Sequence, residues 1–526
     1  MAIGDFALVL HAHLPYVRHP EHADFFEEDW FYEAVIDTYI PLLEAFERLA
    51  ADGVRFRVTM SLTPTLCEMM ADELLMSRCV RRTDRLRELA EREAAAYPAG
   101  HAHGALARHY LDAFGRARAL LDRTGHRLLG AFRALQDAGH LEILTCAATH
   151  GLLPLMATDE ARRAQIEIGC RNYEKHFGRR PRGLWLPECA YSPGLEEPLR
   201  TSGVRYFFLD THGVLFGDPR PKYGVFRPVL CPNGVAAFGR DVESSVQVWS
   251  SEHGYPGDPA YREFYRDVGY DADYAYVRPY LRSDGLRGQL GIKYHRVTGR
   301  VPLHEKEPYD LAAARERAAE HAGNFLFNRQ GQLRHLRTLL KTRPVVVSPY
   351  DAELFGHWWY EGPMFLEFLF RKLHHDQDEI DSTTPMEILD RGEAHQVIEP
   401  SHSSWGDKGY MEVWLNRAND WIYPHLHAAE HHMAELARRF PRAEGILARA
   451  LNQAARELVL AQASDWAFIM TTGTTVPYAE KRTRDHLSRF HGLYLQLTED
   501  RLEEAWLAEL EGKDNLFSEI DYRLYA

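Results

Sequence analysis

Seven short apolar segments recur through the first 350 residues of this chain: FALVL from Phe6, FRVTMSL from Phe56, LEILTC from Leu141, GLWLP from Gly183, VRYFFLD from Val204, VQVWS from Val246 and PVVVSPY from Pro344. They are apolar on both faces, as parallel strands covered by helices are. Helical periodicity fills most of the gaps between them, as in Tyr39 to Ala50 with Leu42, Leu43, Phe46 and Leu49, and in Ala161 to Phe177 with Ile166, Ile168 and Tyr173. Alternation of this kind over this length predicts an α/β fold, a closed (β/α) barrel rather than an open sheet.

Each segment gives way to polar residues at its C-terminal end. The runs exit into His11-Ala12-His13, Thr63-Pro64, Thr149-His150, Glu188, Asp210-Thr211-His212, Trp249-Ser250-Ser251-Glu252-His253 and Tyr350-Asp351. Barrel enzymes carry their chemistry at the C-terminal ends of strands, so these groups are expected to converge on one mouth.

Two stretches read as insertions: residues 66–138, with charged helical sequence from Arg81 to Ala96 and Ala105 to Leu135, and the Pro- and Gly-rich stretch 213–240, with Tyr223 near its middle. A loop as long as the second is expected to serve as a lid or binding element. Beyond residue 395 the pattern changes to long helices, Trp414 to His427, Ala428 to Arg439, Ile446 to Gln462 and Lys481 to Thr498. This predicts a barrel over 1–395 and a helical domain over 396–526.

The 526 residues are 45% hydrophobic and 26% charged, an ordinary globular composition. A formal net charge of -14 argues against a nucleic-acid or anionic-membrane surface, either of which needs a basic face. The N-terminal MAIGDFALVLHAHLP has no basic region and too short an apolar run for a signal peptide or spanning helix, so a soluble cytoplasmic protein, a monomer or weak homo-oligomer, is expected. The six cysteines, Cys67, Cys79, Cys146, Cys170, Cys189 and Cys231, lack CxxC spacing and read as reduced, mostly buried thiols. Cys189 beside Glu188 has no identifiable base that would make it a nucleophile.

Glu188, just past a strand that Pro187 terminates, has a counterpart in Asp351, which leaves an apolar strand in the same manner. Two carboxylates at neighbouring strand ends can lie about 5 Å apart, the separation at which one attacks an anomeric carbon and the other protonates the leaving oxygen. Aromatic residues beside polar loops suit a pyranose, whose C–H faces stack on rings. Of Trp249, Trp358, Trp359, Trp405, Trp414, Trp421 and Trp466, Trp405 in SHSSWGDKGY is the best platform, whereas Trp358 and Trp359 read as packing residues. A rival reading is metallic: His11 and His13, with His150, His212 or His253 and Asp351, have the make-up of a metal-dependent hydrolase site. A non-catalytic carbohydrate-binding protein would not need the paired carboxylates.

At these residues the chain resembles glycoside hydrolase family 57, and within it the 1,4-α-glucan branching enzymes. The resemblance rests on five ordered motifs: HAHLPY at His11, ATHGLLPL at His150, WLPECAY at Glu188, SPYDAELFGHWWYEG at Asp351 and SSWGDKGYMEVWLN at Trp405. It implies a (β/α)7 barrel with a helical insertion and a C-terminal helical domain, no metal or organic cofactor, and α-glucan chains as donor and acceptor. It further implies Glu188 as nucleophile and Asp351 as general acid and base. His11, His13 and His150 would line the donor subsite, and Trp249, Trp405 and Trp414 the glucan groove. Arg240 would donate to sugar hydroxyls, Gly257 would let the backbone approach the glucan, Asp465 would reach in from the helical domain, and Tyr223 would ride on a mobile loop. Amylases and 4-α-glucanotransferases of the same family share the two carboxylates and remain open alternatives.

Overall fold

The computed structural model describes residues 2–98, 100–250 and 254–526. Seven strands form its centre: β1 (Gly4–Ala12), β2 (Val58–Leu62), β3 (Leu141–Cys146), β4 (Gly183–Trp185), β5 (Tyr206–Leu209), β6 (Ala236–Gly239) and β7 (Val345–Asp351). They pair in parallel in the spatial order β6-β5-β4-β3-β2-β1-β7. The sheet curls until the chain leaving β6 meets β7, where the Asp241 N–H donates to the Val347 carbonyl at 2.9 Å. This is a (β/α)7 barrel. Val229–Leu230 runs antiparallel to β6, which makes the sheet mixed at that edge.

The period of two along each strand separates two cores. Ala7 and Val9 of β1 point inward with Leu144, Trp185, Phe208, Phe238 and Val347, while Phe6, Leu8 and Leu10 point outward into the layer shared with the helices. The 66–138 region is helical, with Glu73–Ala96 and Ala102–Arg123 as its long members. The C-terminal part contains helices Tyr423–Arg439, Gly445–Ala461, Ser464–Thr472, Val476–Thr498 and Glu504–Lys513. Among the described residues no helix is long and apolar enough to cross a membrane, and all six cysteines are free and buried.

Three sequence expectations are corrected. VQVWS is not a strand: it ends helix Val242–Trp249, whose N-cap Asp241 accepts from the Ser244 N–H at 2.8 Å. The sixth strand is instead Ala236–Gly239, inside the stretch expected to be one long loop, and its small residues carry little strand signal. Gly239 is needed there because a Cβ would stand 2.7 Å from Val225 Cγ1. Finally, Trp414–His427 is not one helix. A 3-10 turn at Asp420–Ile422 precedes a single helix, Tyr423–Arg439, which absorbs the separate helix expected from Ala428.

Helix Asp159–Phe177 lies so close to the end of β3 that a Cβ on Gly169 would sit 2.0 Å from the Cys146 carbonyl oxygen. Gly169→Ala must push this helix off the sheet, and overpacking of this kind costs about 1–3 kcal/mol. A lowered melting temperature in calorimetry is expected, and an unchanged one would contradict the close approach.

Candidate active site

Register places the first two site residues. β1 pairs with β7 so that His11 stands opposite Asp351, and with β2 so that Ala12 stands opposite Leu62. His13, one step beyond, therefore meets Thr63, and His13 Nδ1 lies 3.0 Å from its Oγ1. His13 and His150 stack with ring centroids 3.9 Å apart, and His11 stacks on Trp185 at 4.6 Å. His11 Nε2 lies 3.0 Å from His150 Nε2, and His150 Nδ1 lies 2.8 Å from Ser464 Oγ. His13 Nε2 lies 3.1 Å from Asp465, so the helical domain supplies the outer partners of two of the three rings. Burial holds the pKa values of His11 and His150 well below the ordinary imidazole range, and the neighbouring imidazoles add to this. Both rings are neutral hydrogen-bonding groups.

Glu188 is presented by two consecutive strained residues, itself and Cys189. Pro187 ends the extended chain, and Glu188 then adopts φ 61° and ψ 21°, followed by Cys189 at φ 49°. Left-handed backbone is unfavourable for residues with a Cβ, by about 1–3 kcal/mol each. Three hydrogen bonds hold it: Cys189 N–H to the Leu186 carbonyl, Ala190 N–H to the Pro187 carbonyl and Trp405 N–H to the Glu188 carbonyl, each 2.9 Å. The Trp405 indole N–H donates to Glu188 Oε2 at 2.8 Å, and His150 Nδ1 lies 3.8 Å from Oε1. Trp405 is itself braced by Trp185, at 4.9 Å between centroids, and by Arg240, whose guanidinium lies 5.7 Å from its ring. Arg240 is aimed by Asp210 at 3.2 Å and Ser245 at 2.9 Å.

The carboxylates share one electrostatic problem. Burial pushes Glu188 up to about 8, opposed by the Trp405 N–H and reinforced by the charge of Asp351. Burial likewise pushes Asp351 up to about 6, opposed by Arg240 and His13. A third acid, Glu353, was not singled out in the sequence, although it lies only two residues past Asp351. It accepts from the Tyr39 hydroxyl and from the His13 N–H at 3.2 Å, and burial raises it to about 8. Ser464 and Tyr39 were missed because their place is set by tertiary contacts rather than by a motif, whereas Asp210 lies at a strand exit as expected.

Other expected site residues have different settings. Trp414 is 1% exposed, and a Cβ on Gly406 would touch its ring at 2.7 Å, so it packs beneath the Trp405 loop instead of lining a groove. Trp405 is less a flat platform than a hydrogen-bond donor to Glu188. Trp249 ends its helix 62% exposed, and Trp358, expected to be packed, is 55% exposed and stacked on Phe264, whereas Trp359 is buried. Gly257 is exposed at the end of a 3-10 turn, Tyr255–Gly257, whose first residue is buried. Tyr223 is half-buried, its ring 5.9 Å from the Arg227 guanidinium, and among the described residues it makes no hydrogen bond to either carboxylate. Cys189 is fully buried, which holds its thiol protonated and excludes it as a nucleophile.

Of the set expected for a metal, His11, His13 and His150 come together, but His212 does not join them. His212 Nε2 lies 2.6 Å from the Gly409 carbonyl, and Glu252 and His253 lie outside the described residues. His13, His150 and Asp465 do bring ligand atoms within 4.8 Å of one another. Their nitrogens are engaged with Thr63, His11, Ser464 and each other's neighbours, and such a set leaves the indole-held Glu188 without a role.

A parallel barrel whose mouth gathers two half-buried carboxylates, neutral imidazoles and an indole N–H is that of an enzyme acting on glycosides. The chain belongs to glycosyl hydrolase family 57, whose model matches residues 7–401; residues 425–525 match the C-terminal region of 1,4-alpha-glucan branching enzymes. A 1,4-alpha-glucan branching enzyme of Thermococcus kodakarensis is 35% identical over 98% of this chain and 78% of its own length. The alpha-amylase AmyC of Thermotoga maritima superposes with a TM-score of 0.94 at 44% identity, covering 99% of both chains. A GH57-type branching enzyme of Pyrococcus horikoshii does so with a TM-score of 0.89 at 35% identity, over 99% of this chain and 97% of that one.

Between about 6 and about 8 the Glu188–Asp351 pair carries one proton. That is the number needed for one carboxylate to attack while the other protonates, but the higher value of Glu188 places the proton there, so attack requires it to pass to Asp351. Glycoside turnover is therefore expected to show a bell-shaped pH profile in kcat/KM with limbs near those values; a flat profile from pH 5 to pH 9, on the order of four units across, would contradict the shared proton. Trp405→Phe removes the N–H that stabilises ionised Glu188, and a loss of about 10–100-fold in kcat/KM is expected. Equal activity would show the indole bond to be idle. A chelator is expected to leave turnover unchanged; stoichiometric zinc with chelator-sensitive activity would transfer the site to the metal reading.

Proposed function

We propose that this protein is a retaining 1,4-α-glucan branching enzyme, which cuts an α-1,4 bond of a donor chain and rejoins the freed segment to a 6-hydroxyl of an acceptor. The observation that carries the reading is the indole N–H on Glu188 Oε2, which leaves Oε1 as the oxygen available to attack. Attack on the anomeric carbon forms a glucosyl ester at Glu188 while Asp351 gives its proton to the departing 4-oxygen. Asp351, now ionised, takes the proton of the incoming 6-hydroxyl as the ester is displaced, and both carboxylates return to their starting states. Loss of charge at Glu188 on ester formation removes a repulsion on Asp351, so the proton affinity of Asp351 falls between the two steps.

The rings of His11, His13 and His150, with Asp465 and Arg240, have the donors and acceptors to hold sugar hydroxyls. Trp249 fits a groove further out, since it stands exposed at the end of its helix. Gly257 would let the glucan approach the backbone. Residues 1–395 would then be the catalytic barrel, with 66–138 as its insertion, and 396–526 the helical part that completes the cleft. A cytoplasmic location accords with the free thiols.

Whether the ester passes to a sugar hydroxyl or to water depends on acceptor binding and water exclusion. Trp405 and the Tyr223 segment are the parts suited to that task. The 44% identity to a protein described as an alpha-amylase favours hydrolysis as the second reading, and 4-α-glucan transfer differs only in the acceptor oxygen.

Proton NMR of amylose incubated with the purified protein separates the three. Branching yields new α-1,6 anomeric signals that outnumber new reducing ends. Reducing ends alone would make the protein an amylase, and redistributed α-1,4 chains with neither signal a 4-α-glucanotransferase.

A further inference from the structure

A cavity of about 480 Å³ lies behind the π-helical turn Val35–Tyr39, away from the histidine cluster. Its walls come from helix Ile40–Ala51, insertion helix Ala102–Arg123 and the first turns of helices Leu311–Leu340 and Gly362–His375. That volume falls within the range of small-molecule sites, about 300–1,000 Å³.

Its charged lining is unbalanced in an informative way. Glu44 faces Arg116 at 3.6 Å and Arg48 at 3.9 Å, Glu367 is held by Arg48 and Arg371 at 2.8 Å each, and Asp37 faces His357 at 3.6 Å. Arg262 differs. It is 6% exposed, lies 3.8 Å from the centroid of the Tyr360 ring, and has one long side-chain hydrogen bond, to the Tyr110 hydroxyl at 3.5 Å. Among the described residues it forms no ion pair. The nearby Glu361 binds the Arg262 backbone N–H at 3.0 Å and the Tyr309 hydroxyl at 2.6 Å instead of the guanidinium. A buried guanidinium ordinarily has a carboxylate or phosphate in contact. His109, bonded to the Tyr360 hydroxyl at 2.6 Å, is pushed down to about 4 by burial and then by Arg116 and Arg262, with Asp112 opposing. Arg315, also without an ion pair among the described residues, lines the same cavity.

We propose that this cavity binds a small phosphomonoester with a hydroxylated body, a hexose phosphate, its phosphate on Arg262 and its ring against Tyr360. Arg262 offers a planar fork to the phosphate oxygens. Asp37 and neutral His109 accept from hydroxyls, and the charge of Asp37 disfavours a polyanion. The site is separate from the glucan cleft and does not depend on which acceptor the cleft uses.

Calorimetric titration of the full-length protein with glucose 1-phosphate, inorganic phosphate and maltose tests this. Ala113→Trp fills the cavity from the insertion helix, and Arg262→Lys keeps the charge while losing the fork. Saturable one-to-one binding of glucose 1-phosphate is expected, weaker by about tenfold or more in each variant, with inorganic phosphate weaker and maltose not competing. No binding, or binding untouched by Ala113→Trp, would overturn the site. Phosphate binding as tight as the sugar phosphate would remove the hexose from the proposal, and competition by maltose would replace it with a neutral saccharide.

Discussion

The candidate catalytic centre depends on one residue, Trp405, holding one other, Glu188, at two points. Its backbone N–H fixes the Glu188 carbonyl, and its indole N–H fixes the carboxylate. The first offsets the cost of left-handed backbone at a residue with a Cβ; the second favours the ionised form of an acid that burial would otherwise neutralise. Trp405 belongs to a loop beyond the last barrel strand, seated on buried Trp414 and tied by backbone hydrogen bonds between Tyr191 and Ser403. Presentation of the acid therefore requires the loop to be docked. The strained turn after β4 and the C-terminal packing are one structural unit.

The same mouth is low in cations. Arg240 is the guanidinium that acts on Asp351, and it is shared with Asp210. The buried histidines beside the acids are neutral rather than charged. A cationic mouth would hold both acids ionised and leave no proton for a leaving group. Neutral donors and acceptors suit an uncharged substrate and let the carboxylates trade a proton between themselves.

Most of the architecture was legible because buried parallel strands are continuous apolar runs, and because strand ends announce themselves by a change to polar residues. The failures have physical causes. Ala236–Gly239 is too small in side chain to read as a strand, yet small residues are what the close approach of Val225 requires. Val246 to Ser250 alternates over too few residues to tell a strand from a turn of helix, and the Asp241 cap was the signal that could have decided it. Trp414 and Trp358 exchange expected roles because neighbouring sequence does not reveal which face of an irregular loop is covered. The Glu188–Asp351 pair and Asp210 were read from strand ends, although β4 and β7, which carry the two carboxylates, are not neighbours in the sheet as expected; Ser464 and Tyr39 enter through contacts between distant segments. Glu353 sat in plain view beside Asp351 and needed only its depth of burial to be recognised.

The central claim is that Glu188 forms the covalent bond to the sugar. Mass spectrometry of an Asp351→Asn variant mixed with an α-maltosyl fluoride tests it directly, since fluoride leaves without an acid but the ester needs Asp351 as base to be released. The expected result is a maltosyl adduct that accumulates and maps by peptide analysis to Glu188. An adduct on Glu353, or none while fluoride is still released, would contradict it.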